Sequence, residues 1–144
     1  MKESTFQKCI LDAFAHDRNV KMFRRNVGGM KDQKGQFVRF GQAGQSDLYG
    51  WIVEHRCPFC NRPQWGTYFA IEVKGLDKNG KPGKLTQAQA DYLEMVSNTN
   101  GIAIVAYPEA NDPIGLRERI YKLLVGSKCP QCVEKSSFTK EITK

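Results

Sequence analysis

The chain has 144 residues and a mass of 16.3 kDa, which suits a single compact domain with a hydrophobic core of its own. It carries 22 Lys and Arg against 15 Asp and Glu, and the net charge of +7 favours a polyanionic partner such as nucleic acid. No apolar run approaches the roughly 20 residues that cross a bilayer, and the amino terminus is amphipathic, so we expect a cytoplasmic protein with neither a membrane span nor a secretory signal.

The amino-terminal segment predicts an amphipathic helix. Apolar residues recur at helical spacing from Phe6 to Phe14, and the pattern stops near residue 16. Cys9 lies on the predicted apolar stripe, and we interpret it as a small core residue.

Strands and one long loop follow this helix. Residues 19–26 predict a strand, and the glycine-rich, polar segment 27–45 predicts a loop with a short strand at 37–40. Two further strands are predicted at 46–53 and 67–75, and the insertion "CPFCNRPQW" separates them.

The second half of the chain predicts two helices around one strand. A turn-rich, basic loop precedes a helix for which Thr86 is the predicted N-cap, and Gln89 stands three residues later, as in a capping box. A buried strand at 101–108 and a helix at 113–125 that begins with proline complete the pattern.

The predicted strand "YFAIEVKG" carries two charges among apolar side chains. Side chains alternate along a strand, so Phe69, Ile71 and Val73 share one face while Glu72 and Lys74 project from the other. A half-buried strand with a solvated outer face explains an isolated pair of this kind. A functional role therefore depends on what the neighbouring strand adds.

An aspartate opens the neighbouring predicted strand. If the two strands are adjacent in one sheet, Asp47, Glu72 and Lys74 meet at one end of a shared face. Mg²⁺ binds a few carboxylate oxygens and keeps several waters, and such a cation polarises a phosphate and activates the attacking water. A lysine beside it can orient that water and offset the charge of the transition state. The three residues outline a magnesium site suited to phosphodiester hydrolysis.

Four segments together resemble the PD-(D/E)XK nucleases, and among them the VRR-NUC type found in phages and in repair enzymes. They are "RRNVGG", "RFGQAGQSDLYGW", "FAIEVKG" and "GKLTQAQADYL", and they follow one another in the order of the family. Ser46 stands where the name of the superfamily has proline, at a position that tolerates other residues. The resemblance implies a restriction-endonuclease-like α/β fold, a mixed sheet flanked by helices, over residues 1–132, with a flexible tail at 133–144.

The resemblance also implies roles for individual residues. Asp47 and Glu72 would bind catalytic Mg²⁺ or Mn²⁺, the Val73 carbonyl would add a third ligand, and Lys74 would stand at the attacking water.

Two further residues match the family and have simpler explanations as well. Gln89 matches the glutamine of the helix that follows the E-x-K motif, but a capping box with Thr86 also accounts for it. Glu3 can be the acidic magnesium ligand of the first helix, and a first-turn carboxylate facing the helix dipole explains it equally.

Basic residues near these motifs are candidates for DNA binding. Arg24, Arg25 and Lys84 are the ones we assign to the phosphate-binding rim, although a solvated basic face explains each of them singly. The resemblance places Arg24 and Lys84 nearest the site.

Two C-P-x-C pairs predict a structural zinc site. Cys57, Cys60, Cys129 and Cys132 supply four thiolates, which match tetrahedral Zn²⁺ and leave no open position for catalysis. Two disulfides or inert thiols are the alternatives, and His55 is a weaker substitute ligand.

The sequence therefore predicts a divalent-metal-dependent endonuclease that hydrolyses DNA phosphodiester bonds. A non-catalytic, zinc-stabilised nucleic-acid-binding module is the alternative from another class, and RNA remains open as a substrate. The resemblance to free-standing VRR-NUC proteins further implies a homodimer that prefers branched DNA, because a two-fold pair presents two sites to symmetric strands.

Overall fold

A computed structural model describes residues 2–26, 28–42, 44–108, 113–132 and 140–142. Three helices and two sheets are found within these residues. In chain order the elements are α1 Glu3–Phe14, β1 Val20–Arg24, β2 Gly28–Lys31, β3 Phe37–Phe40, β4 Leu48–Arg56, β5 Pro63–Val73, α2 Gln87–Asn98, β6 Ile102–Ala106, α3 Pro113–Val125 and β7 Lys140–Ile142.

The main sheet has five strands in the order β1-β4-β5-β6-β7. Strands β1, β4 and β5 are antiparallel neighbours, whereas β5, β6 and β7 run parallel. A parallel pair needs a crossover connection, which α2 supplies between β5 and β6. Strands β2 and β3 form a separate hairpin. The predicted class, a mixed α/β sheet flanked by helices, is confirmed.

The hydrophobic core lies on both faces of the main sheet. On one face α1 and α3 pack against Phe69, Ile71 and Val73 of β5, and on the other α2 packs against Ala70. This is the alternation predicted from the sequence. Strand β1 approaches β4 closely because Gly50 has no side chain, since a Cβ there would overlap the carbonyl oxygen of Lys21.

Cys9 is exposed, and its prediction as a core residue is wrong. Successive helical residues are 100° apart, and the buried side of α1 runs through Phe6, Gln7, Ile10 and Phe14. Cys9 does not lie on this side. Gln7 does, although the apolar pattern did not predict this polar residue to be buried.

Two short strands differ from the sequence-based expectation. Strand β2 lies in the segment predicted as loop, and β7 lies within the predicted tail at 133–144. Residues 140–142 pair with β6 in the main sheet, so the chain contributes to the fold beyond residue 132. The prediction for 133–139 and 143–144 falls outside the described residues. None of the helices in the described part of the chain is long and apolar enough to cross a membrane.

Candidate catalytic and metal-binding sites

The predicted carboxylates meet at one end of the main sheet. Leu48 of β4 pairs with Ile71 of β5, so the next position in the same register sets Asp47 opposite Glu72. Asp47 Oδ2 accepts a hydrogen bond of 2.8 Å from the backbone N–H of Val73. The antiparallel β4 and β5 therefore bring together residues that are 26 positions apart in sequence.

Glu72 is the most deeply buried member of this site, with 1% of its surface exposed. Its Oε1 lies 3.0 Å from Lys74 Nζ and accepts a hydrogen bond of 2.5 Å from Gln89 Nε2. Its Oε2 is buried and has no hydrogen-bond partner among the described residues. A buried carboxylate oxygen without a partner is costly, so this atom suits a cation ligand.

The two carboxylates resist ionisation side by side. Burial and then the charge of Asp47 raise the pKa of Glu72 to about 7, although Lys74 acts in the opposite direction. Burial also raises the pKa of Asp47, while the hydrogen bond from Val73 lowers it. A divalent cation between the two would offset their repulsion. The unpartnered oxygen and the raised pKa values fit the magnesium site predicted from the sequence.

Gln89 serves as a helix cap and also contacts the charged pair. Its backbone N–H donates to Thr86 Oγ1 at 3.2 Å, and its Oε1 accepts from the Thr86 backbone N–H at 2.9 Å, which completes a capping box. The same Oε1 accepts from Lys74 Nζ at 2.9 Å. The sequence left open whether Gln89 caps the helix or belongs to the site. The two roles are compatible, because the same side chain bonds both the Thr86 backbone and the charged pair.

Glu3 and the Val73 carbonyl lie at the edge of the site. The exposed carboxylate of Glu3 accepts a hydrogen bond of 3.4 Å from the Gly75 backbone N–H, and its charge raises the pKa of Asp47 and of Glu72. The Val73 N–H points at Asp47, and within a strand the N–H and C=O of one residue face the same side. Both groups are placed near the carboxylates, and metal ligation by either stays a prediction.

A cleft of about 350 Å³ opens beside Asp47. Its lining joins the end of β1, the loop before β4 and one residue of α1, namely Arg24, Arg25, Asn26, Gln45, Ser46, Asp47 and Gln7. Sequence reasoning missed Gln7, and the available signal was its position four residues after Glu3 on the same side of the helix. The loop before β4 packs tightly on α2, because a Cβ at Gly44 would overlap the backbone carbonyl of Ala88. Gly44 also has a φ of +85°, which favours glycine.

The three basic residues assigned to DNA binding differ in their surroundings. Arg24 is exposed at the rim of the cleft and lowers the pKa of Asp47 through its charge. Arg25 is occupied within the protein, since its guanidinium donates to the hydroxyls of Tyr92 at 2.7 Å and Tyr68 at 3.0 Å. Lys84 is exposed in the loop after β5, beside Gly83, which packs near the aliphatic stem of Lys74. DNA contacts by these residues stay predictions.

The four cysteines of the two C-P-x-C pairs converge on one point. Cys57 and Cys60 lie in the turn between β4 and β5, and Cys129 and Cys132 follow α3. Their sulfur atoms all lie within 4.8 Å of one another, and the Cys60 and Cys129 sulfurs are 3.6 Å apart. A tetrahedral zinc with sulfurs at about 2.3 Å sets them about 3.8 Å apart. All of these thiols are free, so the cluster can hold one metal ion and zinc suits it.

The ionisation of these thiols is unequal. A hydrogen bond from the Cys129 backbone lowers the pKa of the Cys57 thiol to about 6, whereas hydrogen bonding to Cys129 raises the pKa of Cys132 to about 12. Four thiolates together need a cation to offset their charge. His55 does not belong to this cluster, and its Nε2 lies 3.0 Å from Thr67 Oγ1.

Comparison of the chain with protein-family models and with curated proteins finds no match.

Proposed function

We propose that the protein is a divalent-metal-dependent endonuclease that hydrolyses DNA phosphodiester bonds. The observation that carries the proposal is the buried Glu72 Oε2, which has no partner among the described residues and stands next to a second carboxylate, Asp47. Lys74 is held beside them by Glu72 and Gln89. Two carboxylates with a lysine fixed beside them are suited to phosphoryl chemistry.

The resemblance to the PD-(D/E)XK nucleases of the VRR-NUC type belongs to this proposal. It rests on the motif residues Asp47, Glu72, Lys74 and Gln89, and on their order along the chain. The restriction-endonuclease-like fold is proposed on the same ground. A five-stranded mixed sheet with the E-x-K motif at the end of a central strand is compatible with it.

Each residue contributes a separate part of the chemistry. Asp47 and Glu72 would hold the cation, which when bound polarises the scissile phosphate and lowers the pKa of the attacking water. Two of the three Lys74 ammonium protons point at Glu72 and Gln89, which leaves one for a water or a phosphate oxygen. Gln89 fixes the position of Lys74, because its capping box ties the amide to the first turn of α2.

The cysteine cluster has a structural role in the proposal. A zinc ion bound by all four thiolates would tie the turn between β4 and β5 to the segment after α3. Zinc with four protein ligands has no open position, so the hydrolysis is assigned to the Asp47 and Glu72 site alone. Free thiols of this kind persist in a reducing compartment, and a cytoplasmic location is therefore part of the proposal.

A cleavage assay tests the proposal. Purified protein is incubated with linear, nicked and branched DNA, and with RNA of the same sequence, in Mg²⁺, in Mn²⁺ and in EDTA. We expect DNA to be cut in either metal and to remain intact in EDTA. Binding of DNA without cleavage under every condition would instead support a non-catalytic nucleic-acid-binding module, and cleavage confined to RNA would correct the substrate.

A further inference from the structure

Three aromatic side chains form a strip on the exposed part of the main sheet. Phe23 of β1 lies between two residues of β4, with its ring centroid 5.8 Å from that of Tyr49 and 5.3 Å from that of Trp51. Phe23 and Trp51 are each 42% exposed. We call Phe23, Tyr49 and Trp51 the aromatic strip.

The aromatic strip shares a sheet face with the catalytic candidates. Tyr49 pairs with Ala70 and Trp51 with Tyr68. On β5 these two partners and Glu72 alternate with Phe69, Ile71 and Val73, which face α1 and α3. Helix α2 covers this face over β5 and β6. Trp51 lies four residues along β4 from Asp47, which corresponds to about 13 Å.

Cationic and hydroxyl groups connect the strip to the site. The Arg25 guanidinium stacks 4.2 Å above the Tyr49 ring and donates to Tyr68 and Tyr92. Tyr92 belongs to α2, the helix that carries Gln89. Arg24 and Asp47 line the cleft that Arg25 also lines. A strand whose phosphates are held at the cleft can thus extend past Arg25 toward the aromatic rings.

The exposed area of the strip is small for a protein partner. Two rings of 150–250 Å² each, at two-fifths exposure, offer roughly 200 Å². A stable protein interface needs about 800 Å² from each partner. Stacking of single bases requires only one ring face per base and contributes usefully at that size.

We propose that the aromatic strip is a stacking site for unpaired bases of the nucleic-acid strand whose phosphates enter the cleft beside Asp47. This inference rests on the proposed nuclease function for its polyanionic ligand. Base stacking tolerates any sequence because every base has an aromatic face, whereas Arg24, exposed at the rim of the cleft, provides the attraction to phosphate. The strip would therefore favour substrates that have a single-stranded segment next to the cut.

Trp51 fluorescence can report on this site directly. The chain has two tryptophans, so Trp65→Phe leaves Trp51 as the sole indole. This protein is titrated without added divalent cation with oligothymidylate, with an abasic oligonucleotide of equal length and charge, and with a duplex. We expect oligothymidylate to quench Trp51 and to bind at least about fivefold more tightly than the abasic strand.

Matched substitutions separate stacking from folding. Phe23→Leu and Trp51→Leu remove the rings but keep apolar side chains, and each should weaken binding of fluorescently labelled oligothymidylate by about fivefold or more while the abasic strand binds as before. Phe59→Leu, at an exposed ring in the turn between β4 and β5, is the control that should change neither affinity.

Three outcomes would overturn the inference. They are equal affinity for the abasic and thymidine strands, unchanged binding by the Leu variants, and a Trp51 signal that depends on protein concentration without DNA, which would identify a second copy as the occupant. Because these titrations contain no added Mg²⁺ or Mn²⁺, they are independent of catalysis. A base preference without cleavage in Mg²⁺ would refute the proposed function alone, and cleavage without a base preference would refute the stacking site alone.

Discussion

Glu72 occupies a position where its negative charge is costly unless a cation accompanies it. The carboxylate is 1% exposed, and the pKa of about 7 means that the metal-free protein retains the proton at Glu72 far above the ordinary range. Lys74 alone does not compensate, because burial and Asp47 outweigh it. The destabilisation arises at this residue, and the proposed metal site would account for it.

The first prediction concerns stability and pH. The folded state binds more protons than the unfolded state between the ordinary pKa of 4.5 and the folded pKa of about 7, so metal-free protein should lose stability as pH rises through this window. The decrease in the free energy of unfolding has an upper limit of about 3 kcal/mol and persists above pH 7. Thermal unfolding at pH 5 and pH 8 without added divalent cation measures it.

Glu72→Gln is the control for this prediction, since the amide does not titrate. It should show a smaller decline in unfolding temperature between pH 5 and pH 8, and Mg²⁺ should stabilise the parent but not the variant at pH 8. Identical pH dependence of parent and variant would show that Glu72 ionises normally.

At the scale of elements, the first turn of α2 links helix capping to the site. Gln89 occupies the N3 position and uses one amide group for both the Thr86 backbone and the side chains of Glu72 and Lys74. Because the capping box fixes the Gln89 amide, Gln89 holds Lys74 more firmly than a freely moving amide on the surface would.

The second prediction compares Gln89→Ala with Thr86→Ala. Both substitutions break the capping box and should cost about 1 kcal/mol of stability. Only Gln89→Ala also releases Lys74 and Glu72, so it alone should lower kcat by more than about tenfold. Urea unfolding and initial cleavage rates are the measurements. Equal rate losses in the two variants would assign Gln89 to the helix cap alone.

The third prediction concerns the cysteine cluster, which joins the turn between β4 and β5 to the segment after α3. Protein purified without added metal should contain about one zinc per chain, and Cys129→Ser should contain markedly less and unfold at a lower temperature. Closure of the chain between residues 57 and 132 by metal restrains a long loop, which is the source of the stabilisation.

Cys9→Ser is the matched control, because Cys9 is exposed and lies outside the cluster. It should keep both the zinc content and the unfolding temperature of the parent. A folded parent that lacks zinc and has four titratable thiols in the cluster would contradict the prediction.

The sequence predicted elements better than it predicted contacts between them. Alternation identified β5 and its two faces, and the capping box located α2, because both patterns are local. Arg25 contacts Tyr68 and Tyr92, which are 43 and 67 positions from it in sequence, and no local pattern predicts contacts at such separations. The meeting of Asp47 with Glu72 was predicted on the assumption that their two strands are adjacent in one sheet, and β4 and β5 are neighbours. The assignment of Cys9 to the core was wrong because one residue's displacement on a helix turns a side chain by 100°.

For the whole molecule, the excess of basic over acidic residues raises the question of what a chain of this size would bind. The net charge of +7 on 144 residues favours binding to a polyanion. It does not indicate which nucleic-acid structure is bound. Affinity for DNA should therefore fall steeply with salt, whichever substrate is preferred.

The fourth prediction is that the protein is a homodimer that cuts branched DNA in preference to linear duplex. A two-fold pair would present two sites to symmetric strands and double the basic surface. Light scattering across micromolar concentrations measures the mass, for which the chain contributes 16.3 kDa per copy. A monomer at every concentration, with equal cutting of branched and linear DNA, would remove both parts of the prediction.

The fifth prediction concerns the central claim, that Asp47 and Glu72 hold the cation on which phosphodiester hydrolysis depends. The most direct measurement is the cleavage rate in Mg²⁺ of the parent, Glu72→Gln and Asp47→Asn, with DNA affinity measured in parallel without added divalent cation. Each substitution removes a charged oxygen while changing side-chain volume little, so we expect rates to fall by more than about 100-fold with affinity nearly unchanged. Cleavage by Glu72→Gln at the rate of the parent would contradict the account.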